Sequence, residues 1–399
     1  MFNFKKSGER FAEGILFISS TITSLTVLLI IAFLFKEGSG FFNHPSMEKG
    51  NVIAVNADNP VKALKARQIK DIFDQKITNW KEIGGKDEKI KLFRIDDINT
   101  YYSDAEIGAN FENLPKCLNE IISRNTNIIA FFQDRYIDKN FKGKLVDVEK
   151  VTIGNFFANK EWFPTAHPAA QFGVLSLVLG TLWVSFGAIL IALPFGLATA
   201  IYMAELADER IRRVLKPVIE LLAGIPSVVF GFFGLVVIVP MIQKTFNLPV
   251  GETALAGSII LGIMALPTII TISEDAIRTT PRAMKEASLA LGANKWQTIY
   301  RVIVPYSISG ISAAAILGIG RAIGETMAVL MVTGNSAIIP HTFLAPVRTI
   351  PATIAAELGE AAQGGMHYKA LFVLGCVLFF ITLFINLFVE YISSARRNK

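Results

Sequence analysis

The sequence predicts an all-α polytopic membrane protein with six transmembrane helices and a small α/β extracytoplasmic insert between helices 1 and 2. Of its 399 residues, 52% are hydrophobic and 18% are charged, whereas about a quarter of the residues of soluble domains are charged. Apolar stretches long enough to cross about 30 Å of hydrocarbon recur along the chain. One long charge-rich interruption, residues 36–170, separates the first stretch from the rest.

Six stretches have the length of a membrane span, which is about 20 residues. We place them at residues 15–35, 172–203, 218–242, 254–272, 306–332 and 370–392. Pro226, Pro240 and Pro267 interrupt the third and fourth stretches, and spanning helices tolerate proline where neighbouring groups satisfy the freed backbone. The first stretch is longer than the apolar part of a signal peptide and no small-x-small cleavage site follows it, so we expect a retained helix.

The basic residues predict the orientation, because lysine and arginine are enriched in cytoplasmic loops. They cluster before the first stretch and after the second, fourth and sixth: Lys5, Lys6, Arg10; Arg210, Arg212, Arg213, Lys216; Arg278, Arg282, Lys285, Lys295, Arg301; Arg396, Arg397, Lys399. The short loops on the other side hold only Lys244, Arg348 and Lys369. Both termini are therefore expected in the cytoplasm. This belt accounts for the net charge of +6, so no nucleic-acid partner is expected.

Several chemistries are not expected. Cys117 and Cys376 are placed in the outer loop and in the last helix, so no disulfide is predicted. The four histidines show no metal-ligand spacing, and neither a metal nor a cofactor is expected. The chain contains no GxxxxGK[ST] phosphate-binding loop. The chain is therefore not expected to hydrolyse ATP by that route.

The insert, placed at residues 44–165, has strand and helix patterns of its own. Strands are predicted at 51–55, 89–95, 127–132 and 143–148, and helices at 64–73 and 114–122. A segment of roughly 120 residues can bury a small core. The organisation is thus 1–40 for the N-terminus and first helix, 44–165 for the insert, and 170–399 for the remaining helices.

Part of the insert resembles the periplasmic phosphate-binding proteins of ABC importers. The resemblance lies in "NADNPVKALKARQIKDIFDQKITNWKEIGG" (56–85) and "NIIAFFQDRYIDKN" (127–140). That family follows an equivalent of Arg94 with a Ser-Gly-Thr phosphate loop, and here the positions are Ile98-Asn99-Thr100. Ile98 has no hydroxyl, and Asn99 lacks the backbone freedom of glycine. Our hypothesis is a truncated relic that docks or gates without holding phosphate tightly; the alternative is a folded spacer.

The loop 279–305, "TTPRAMKEASLALGANKWQTIYRVIVP", is predicted to form two short amphipathic helices. Thr280 and Pro281 suit the N-cap and first helical position. Gly292 suits the end of the first helix, and the second begins at Trp296 and ends at Pro305. On the cytoplasmic side, such an exposed helix would serve as a docking point for another subunit.

The same loop resembles the EAA loop of ABC-importer permeases. The match consists of Glu286-Ala287-Ser288, Gly292 and, at the family's spacing, residues 302–305 "VIVP". Ser288, Val302 and Val304 depart mildly from the pattern. The resemblance implies the type I ABC-importer permease fold and a coupling helix, carried by Glu286, Ala287 and Gly292, that seats in a cleft of an ATPase subunit dimer. The alternative is an ordinary surface helix.

Three further segments resemble the phosphate-specific (Pst-type) permeases in their PstC-like form: "WFPTAHPAAQFGVLSLVLGTLWVS" (162–185), "LLAGIPSVVFGFFGL" (221–235) and "GRAIGETMAVLMVTGN" (320–335). The resemblance implies a permease subunit of an ATP-driven phosphate importer in a bacterial inner membrane. Its implied partners are a second permease subunit (PstA-like), the ATPase dimer, an extracytoplasmic phosphate-binding protein, inorganic phosphate and the lipid bilayer. Two alternatives remain: a permease for another oxyanion (molybdate or sulfate), and a non-transporting membrane phosphate sensor.

Arg321 and Glu325 lie within the fifth apolar stretch. A charge at the bilayer centre costs about 3 kcal/mol or more and by default marks function. Their i, i+4 spacing predicts that they meet on one helix face, where the arginine fork suits an oxyanion and the carboxylate weakens its grip. Thr326, Thr333 and Asn335 are expected to continue this path outward. The alternative is a structural ion pair against a partner subunit.

Overall fold

The computed structural model describes residues 2–48, 50–108 and 110–397, so Lys399, one of the predicted cytoplasmic basic residues, lies outside the described residues. The chain forms two compact units. The membrane unit comprises Met1–Ser39, Val174–Gln363 and Tyr368–Lys399, and the insert unit comprises Gly40–Gly173 with Gly364–His367.

The membrane unit begins with α1, Phe2–Ser39, which contains the predicted first span. Its sequence is mostly apolar from Ile15 to Phe35, and most of the described side chains on it are exposed.

The insert unit is a small α/β fold. Its strands are β1 (Asn51–Val55), β2 (Ala63–Leu64), β3 (Lys91–Arg94), β4 (Ile128–Gln133), β5 (Lys144–Leu145), β6 (Asp147–Val148), β7 (Trp162–Phe163) and β8 (Gln171–Phe172). Its helices are α2 (Ala66–Phe73), α3 (Asp104–Ile107), α4 (Leu114–Arg124) and α5 (Ile153–Ala158). The main sheet has the order β3-β4-β1-β5, with β1 antiparallel to β4 and β3 parallel to it.

Alternate side chains of this sheet feed two buried clusters. Ile53 and Ile129 face α2 and Trp80, while Ala54 and Phe93 face α4, as the two-residue period of a strand requires. The predicted strand 51–55 is confirmed with the same bounds. The predicted strand 143–148 was wrong as one element, because its halves join different sheets: β5 pairs with β1, and β6 with β2.

The remaining helices of the membrane unit follow in order. They are α6 (Leu175–Ile201), α7 (Glu209–Gly224), α8 (Ser227–Phe233), α9 (Val239–Thr245), α10 (Ala254–Arg278), α11 (Arg282–Ala290), α12 (Lys295–Thr298), α13 (Val304–Tyr306), α14 (Ile308–Gly324), α15 (Met327–Val332), α16 (Ile350–Glu357) and α17 (Met366–Arg397). Wider π turns continue α6 and join α8 to α9 and α12 to α13: Tyr202–Leu206, Gly234–Ile238 and Ile299–Ile303.

Two of the π turns have a sequence cause. Pro240 and Pro305 follow the turns Gly234–Ile238 and Ile299–Ile303. Proline lacks the N–H that an α-helix needs, and its ring clashes with the carbonyl four residues earlier. Widening the preceding turn relieves that clash while the helix continues.

Five segments within the described residues are long and apolar enough to span a membrane. They are Glu13–Ser39, Leu175–Leu206, Ser227–Thr245, Ala254–Arg278 and Met366–Tyr391. A sixth results if Lys295–Tyr306 and Ile308–Gly324, which meet at an angle of 69°, form one span.

Two predicted spans differ from the helices observed. The predicted span 218–242 was wrong at its start, because residues 218–224 end α7 and Pro226 caps α8; proline disfavours a helical conformation at the preceding residue. The predicted span 306–332 was wrong as one helix, because α14 ends at Gly324 and α15 begins at Met327.

The centre of the membrane unit is α10, which packs against α6 and α14. At Gly187 on α6 the contact is close: a Cβ there would lie 2.3 Å from Ser258 Oγ on α10. The Ser258 hydroxyl lies 2.8 Å from the Ala254 carbonyl oxygen and 3.2 Å from that of Val184. The serine therefore bonds across the helix pair, and glycine permits the approach.

Candidate functional site

Arg321 lies in the last turn of α14 with an exposed side chain. Among the described residues, its guanidinium has no hydrogen bond to the chain and no ion pair within 4.0 Å. Gly320 and Gly324 flank it, and a Cβ at either glycine would meet no heavy atom within 4 Å. The guanidinium thus stands on an uncovered face of the helix.

Glu325 does not meet Arg321 on one helix face, and the predicted i, i+4 pair was wrong. The helix ends at Gly324, and Glu325 is extended, with φ −70° and ψ 132°. Its Oε1 accepts the N–H of Ala328 at 3.4 Å. Glycine is a weak helix former, and a carboxylate that accepts a forward N–H starts a new helix, as a cap does.

The break between α14 and α15 lies inside the apolar part of the unit. On α15, Ala328 and Val332 are buried in the same cluster as Val184 and Ile260 of the long helices. Non-helical backbone at membrane depth is tolerated where it is buried in protein or lines water. Gly324 is exposed at this break, so its face is available to a partner subunit or to a water-filled path.

The three polar residues predicted outward of this point have separate positions. Thr326 is half-buried, and its hydroxyl donates to the Gly324 carbonyl at 3.3 Å. Thr333 is completely buried and donates to the Val329 carbonyl at 2.9 Å. As a correction, Thr333 does not line an accessible path, because burial places it in the turn that closes α15.

Asn335 is half-buried and adopts a positive φ of 48°. Its Nδ2 donates to the Leu330 carbonyl at 2.7 Å. Its Oδ1 is buried and accepts no hydrogen bond within the described chain. The amide nitrogen of Asn335 is therefore engaged at the end of α15, while its amide oxygen is not.

The predicted coupling segment is α11, which is fastened to the unit along one side. Lys285 Nζ lies 2.5 Å from Glu205 Oε1 in the π turn that continues α6. The hydroxyls of Ser288 and Thr298 lie 3.0 Å apart. Glu286 and Ala287 are exposed on the other side, so the segment offers a fixed outward face.

One of the two predicted ends of α11 agrees with the structure. Gly292 has φ +85°, which confirms the predicted glycine end; its N–H donates to the Leu289 carbonyl at 3.0 Å. The predicted N-cap at Thr280 was wrong. Pro281 occupies that position, and the Thr280 hydroxyl is buried 3.2 Å from that of Ser307.

Sequence reasoning missed Glu274, whose side chain is 1% exposed near the end of α10. Its Oε1 lies 3.2 Å from Nε of Arg278 and 3.5 Å from Nε of Arg212 on α7. The predicted span ended at residue 272, which placed Glu274 in a solvated loop. The signal that could have found it is a carboxylate at helical spacing from Arg278.

In the insert unit, the segment aligned with a phosphate loop forms a 3₁₀ turn, Ile95–Thr100. Ile98 is 5% exposed in the insert core. Asp97 Oδ2 accepts the Arg94 N–H at 3.0 Å, and the Arg94 guanidinium lies 5.4 Å from the centre of the Phe73 ring. This turn therefore presents a buried apolar side chain and a carboxylate where the phosphate-binding proteins have their phosphate loop.

Comparisons with known proteins match both units. A family model described as "Binding-protein-dependent transport system inner membrane component" matches residues 192–398. A second, "PBP superfamily domain", matches residues 12–101. The chain is 40% identical over 250 residues to "Probable ABC transporter permease protein YqgH" of Bacillus subtilis, covering 63% of this chain and 81% of that protein.

Two further relatives are named "Phosphate transport system permease protein PstC". The protein of Mesorhizobium japonicum is 38% identical over 256 residues, which cover 59% of this chain and 77% of that protein. The protein of Haemophilus influenzae is 36% identical over 248 residues, which cover 57% and 77%. The chain belongs to the family of binding-protein-dependent transport system inner membrane components.

Proposed function

We propose that this chain is the permease subunit of an ATP-driven phosphate importer and forms half of the transmembrane path for inorganic phosphate. The observation that carries the proposal is Arg321, a cation that is exposed, without an ion pair among the described residues, and beside a helix break within the apolar unit. The names of the relatives from Mesorhizobium japonicum and Haemophilus influenzae support phosphate as the substrate.

The chemistry of Arg321 suits a transported oxyanion. Its planar guanidinium presents several N–H donors to the oxygens of phosphate. Glu325 is engaged with the Ala328 N–H, so it does not occupy these donors within the chain. Transport also requires that the ion can leave, and a single guanidinium on an open helix face meets that requirement better than an enclosed cage of donors.

The topology in this proposal is that of a type I ABC-importer permease with six spans and both termini in the cytoplasm. The bent pair Lys295–Tyr306 and Ile308–Gly324 supplies one of these spans. The basic residues beside the spans support the orientation, which leaves the insert outside the cytoplasm. A second permease subunit (PstA-like) then covers the exposed face of α14 and completes the path.

The other partners meet the chain at its two sides. A separate ATPase dimer binds the outward face of α11. This face carries Glu286 and Ala287, and the left-handed Gly292 follows the helix. The chain itself is non-catalytic. An extracytoplasmic phosphate-binding protein delivers the ion, and the insert docks it or gates its access.

The test is Arg321→Met in the assembled complex, with labelled phosphate uptake as the measurement. We expect uptake to fall about tenfold or more, because losing the charge removes more than about 1.4 kcal/mol of attraction for the ion. Arg321→Lys, which keeps the charge without the fork, should retain part of the uptake. Excess sulfate or molybdate should compete weakly with phosphate.

Leu28→Ala is the control, because Leu28 is an exposed apolar residue on α1, outside the face of α14 that the second permease covers, and its uptake should stay normal. Near-normal uptake by an assembled Arg321→Met complex would refute the proposal. Loss of co-purification with the second permease would instead assign Arg321 to the interface between the subunits.

A further inference from the structure

Glu274 is a buried carboxylate that the proposed path leaves unused. It lies one turn before the end of α10 and is 1% exposed. Removing a carboxylate from water is unfavourable unless charged partners compensate for the lost hydration. Charged partners must therefore stabilise the Glu274 carboxylate in its buried position.

The two partners approach the same oxygen from two helices. Arg278, at the end of α10, and Arg212, on α7, lie 3.2 Å and 3.5 Å from Glu274 Oε1 through their Nε atoms. This oxygen accepts no hydrogen bond within the described chain. The carboxylate is therefore held by charge, without a fixed donor geometry. The arginine side chains are 33% and 31% exposed, so both can follow a displacement.

The end of α10 is the root of the coupling segment. Arg278 is its last residue, and α11 begins at Arg282. The link between them is anchored, because Thr280 Oγ1 lies 3.2 Å from Ser307 Oγ and the Ser307 hydroxyl donates to the Ala276 carbonyl at 3.1 Å. The Thr280 and Ser307 hydroxyls therefore connect the link before α11 to the last turns of α10.

The other partner, α7, leads back to the helix break. It packs Leu222 against the core and continues through Pro226 into α8. On α8, a Cβ at Gly231 would lie 3.0 Å from Ala328 Cα on α15. Ala328 is the residue whose N–H Glu325 accepts. Contacts therefore run without interruption from α11 to the break beside Arg321.

We propose that Glu274 is a positioning residue that ties α7 to the root of the coupling segment, so that movement of α11 draws α7 and α8 along. The proposal rests on the proposed function, since it assumes that a separate ATPase moves α11. The carboxylate acts through Arg212 and touches neither phosphate nor ATP.

The first measurement uses Glu274→Gln in the complete complex, reconstituted in proteoliposomes. We expect assembly and ATP hydrolysis within about twofold of wild type, and phosphate uptake per ATP reduced about tenfold, within the usual range of coupling between sites. Glu209→Gln is the matched control, because Glu209 is an 87% exposed carboxylate on α7 that pairs with Arg213 at 3.9 Å. Phosphate uptake per ATP hydrolysed should be the same in Glu209→Gln as in wild type.

Arg212→Gln supplies the second variant and keeps the test decisive if Glu274→Gln does not assemble. It should reduce the ratio of uptake to ATP hydrolysis to the same extent. In the double variant Glu274→Gln/Arg212→Gln, the loss should be no greater than in either single variant, because both remove one connection. Additive losses, or an unchanged ratio in Arg212→Gln, would overturn the proposal.

A third readout is independent of the substrate. A spin label at Val214, which is 65% exposed on α7, should change its environment when ATP binds to the wild-type complex, and not in Arg212→Gln. The same change in both proteins would overturn the proposal. If the wild-type complex hydrolyses ATP without taking up phosphate, the proposed function fails, and the label still decides whether Glu274 and Arg212 link α7 to α11.

Discussion

At the scale of single residues, Arg321 and Glu325 differ in how far their surroundings could be foreseen. A charged pair at i, i+4 spacing meets only if the helix continues through both positions. Here α14 ends between them, at Gly324. The arginine therefore keeps an open face, while the carboxylate is directed to the Ala328 N–H. The chemistry of each charge was evident from the residue type, and their separation was not.

Gly292→Ala should weaken attachment of the ATPase to the coupling segment. Gly292 has φ +85°, and a Cβ in the left-handed region costs about 1–2 kcal/mol. The end of α11 should distort, lowering the affinity for the ATPase subunit by up to roughly five- to thirty-fold. The measurement is a binding titration of the ATPase against the purified permease.

Gly359→Ala is the control for Gly292→Ala. No heavy atom lies within 4 Å of a Cβ at Gly359, and its φ lies outside the left-handed region, so affinity should be unchanged. Equal ATPase affinity for Gly292→Ala and wild type would show that the left-handed turn is not needed for docking.

At the scale of elements, prolines and glycines account for most of the breaks and π turns in the helices of the predicted spans. Pro226 separates α7 from α8, and Pro240 and Pro305 follow π turns. Pro267 lies within α10 without ending it. The difference is tertiary: Pro267 is buried in a helix that other helices surround, and such neighbours hold an interrupted helix together.

Gly187→Ala should destabilise the contact between α6 and α10. The new Cβ would lie 2.3 Å from Ser258 Oγ, so one helix must shift or the serine must give up its bond to the Val184 carbonyl. Overpacking of this kind typically costs about 1–3 kcal/mol. The measurement is the thermal unfolding temperature of the detergent-solubilised protein.

Gly14→Ala on α1 is the matched control, because a Cβ there meets no heavy atom within 4 Å. Its unfolding temperature should equal that of wild type or exceed it slightly, since alanine favours helix more than glycine does. The close-contact explanation would be disproved if Gly187→Ala unfolded at the same temperature as this control.

At the scale of the whole molecule, the insert unit builds its core from its own residues. Its two buried clusters lie on the two faces of one sheet and draw on residues between Ile53 and Ala169. Segments of this size fold independently when they bury such a core. We therefore expect residues 40–173, the continuous part of this unit, to fold as a separate protein, as measured by circular dichroism.

The isolated insert should not bind phosphate with sub-micromolar affinity. Ile98 is buried, and Asp97 accepts the Arg94 N–H. The turn therefore adds negative charge and no hydroxyl at Ile98, and an anion would be repelled. Calorimetric titration with phosphate measures this directly. A dissociation constant below about 1 μM, equivalent to about −8.2 kcal/mol, would show instead that the insert is a phosphate receptor.

Much of the fold and part of the site could be predicted because their causes are local. The strand at 51–55 and the glycine end of α11 follow from side-chain alternation and from backbone freedom at one residue. Thr333 was misjudged because burial depends on what packs around it: its hydroxyl bonds within α15, and its backbone bonds to Val347. Polarity in a sequence does not reveal such partners.

The sequence by itself determined that the chain crosses a membrane and carries a charge-rich insert, that the loop 279–305 resembles an EAA loop, and that two charges lie in a later apolar stretch. Only the tertiary structure decided that Arg321 stands apart from Glu325 and that Glu274 lies buried between Arg212 and Arg278. The physical reason is the range of the interactions. Hydropathy and turn preferences act over a few residues, whereas burial and the choice of an ionic partner depend on segments that are distant in the chain.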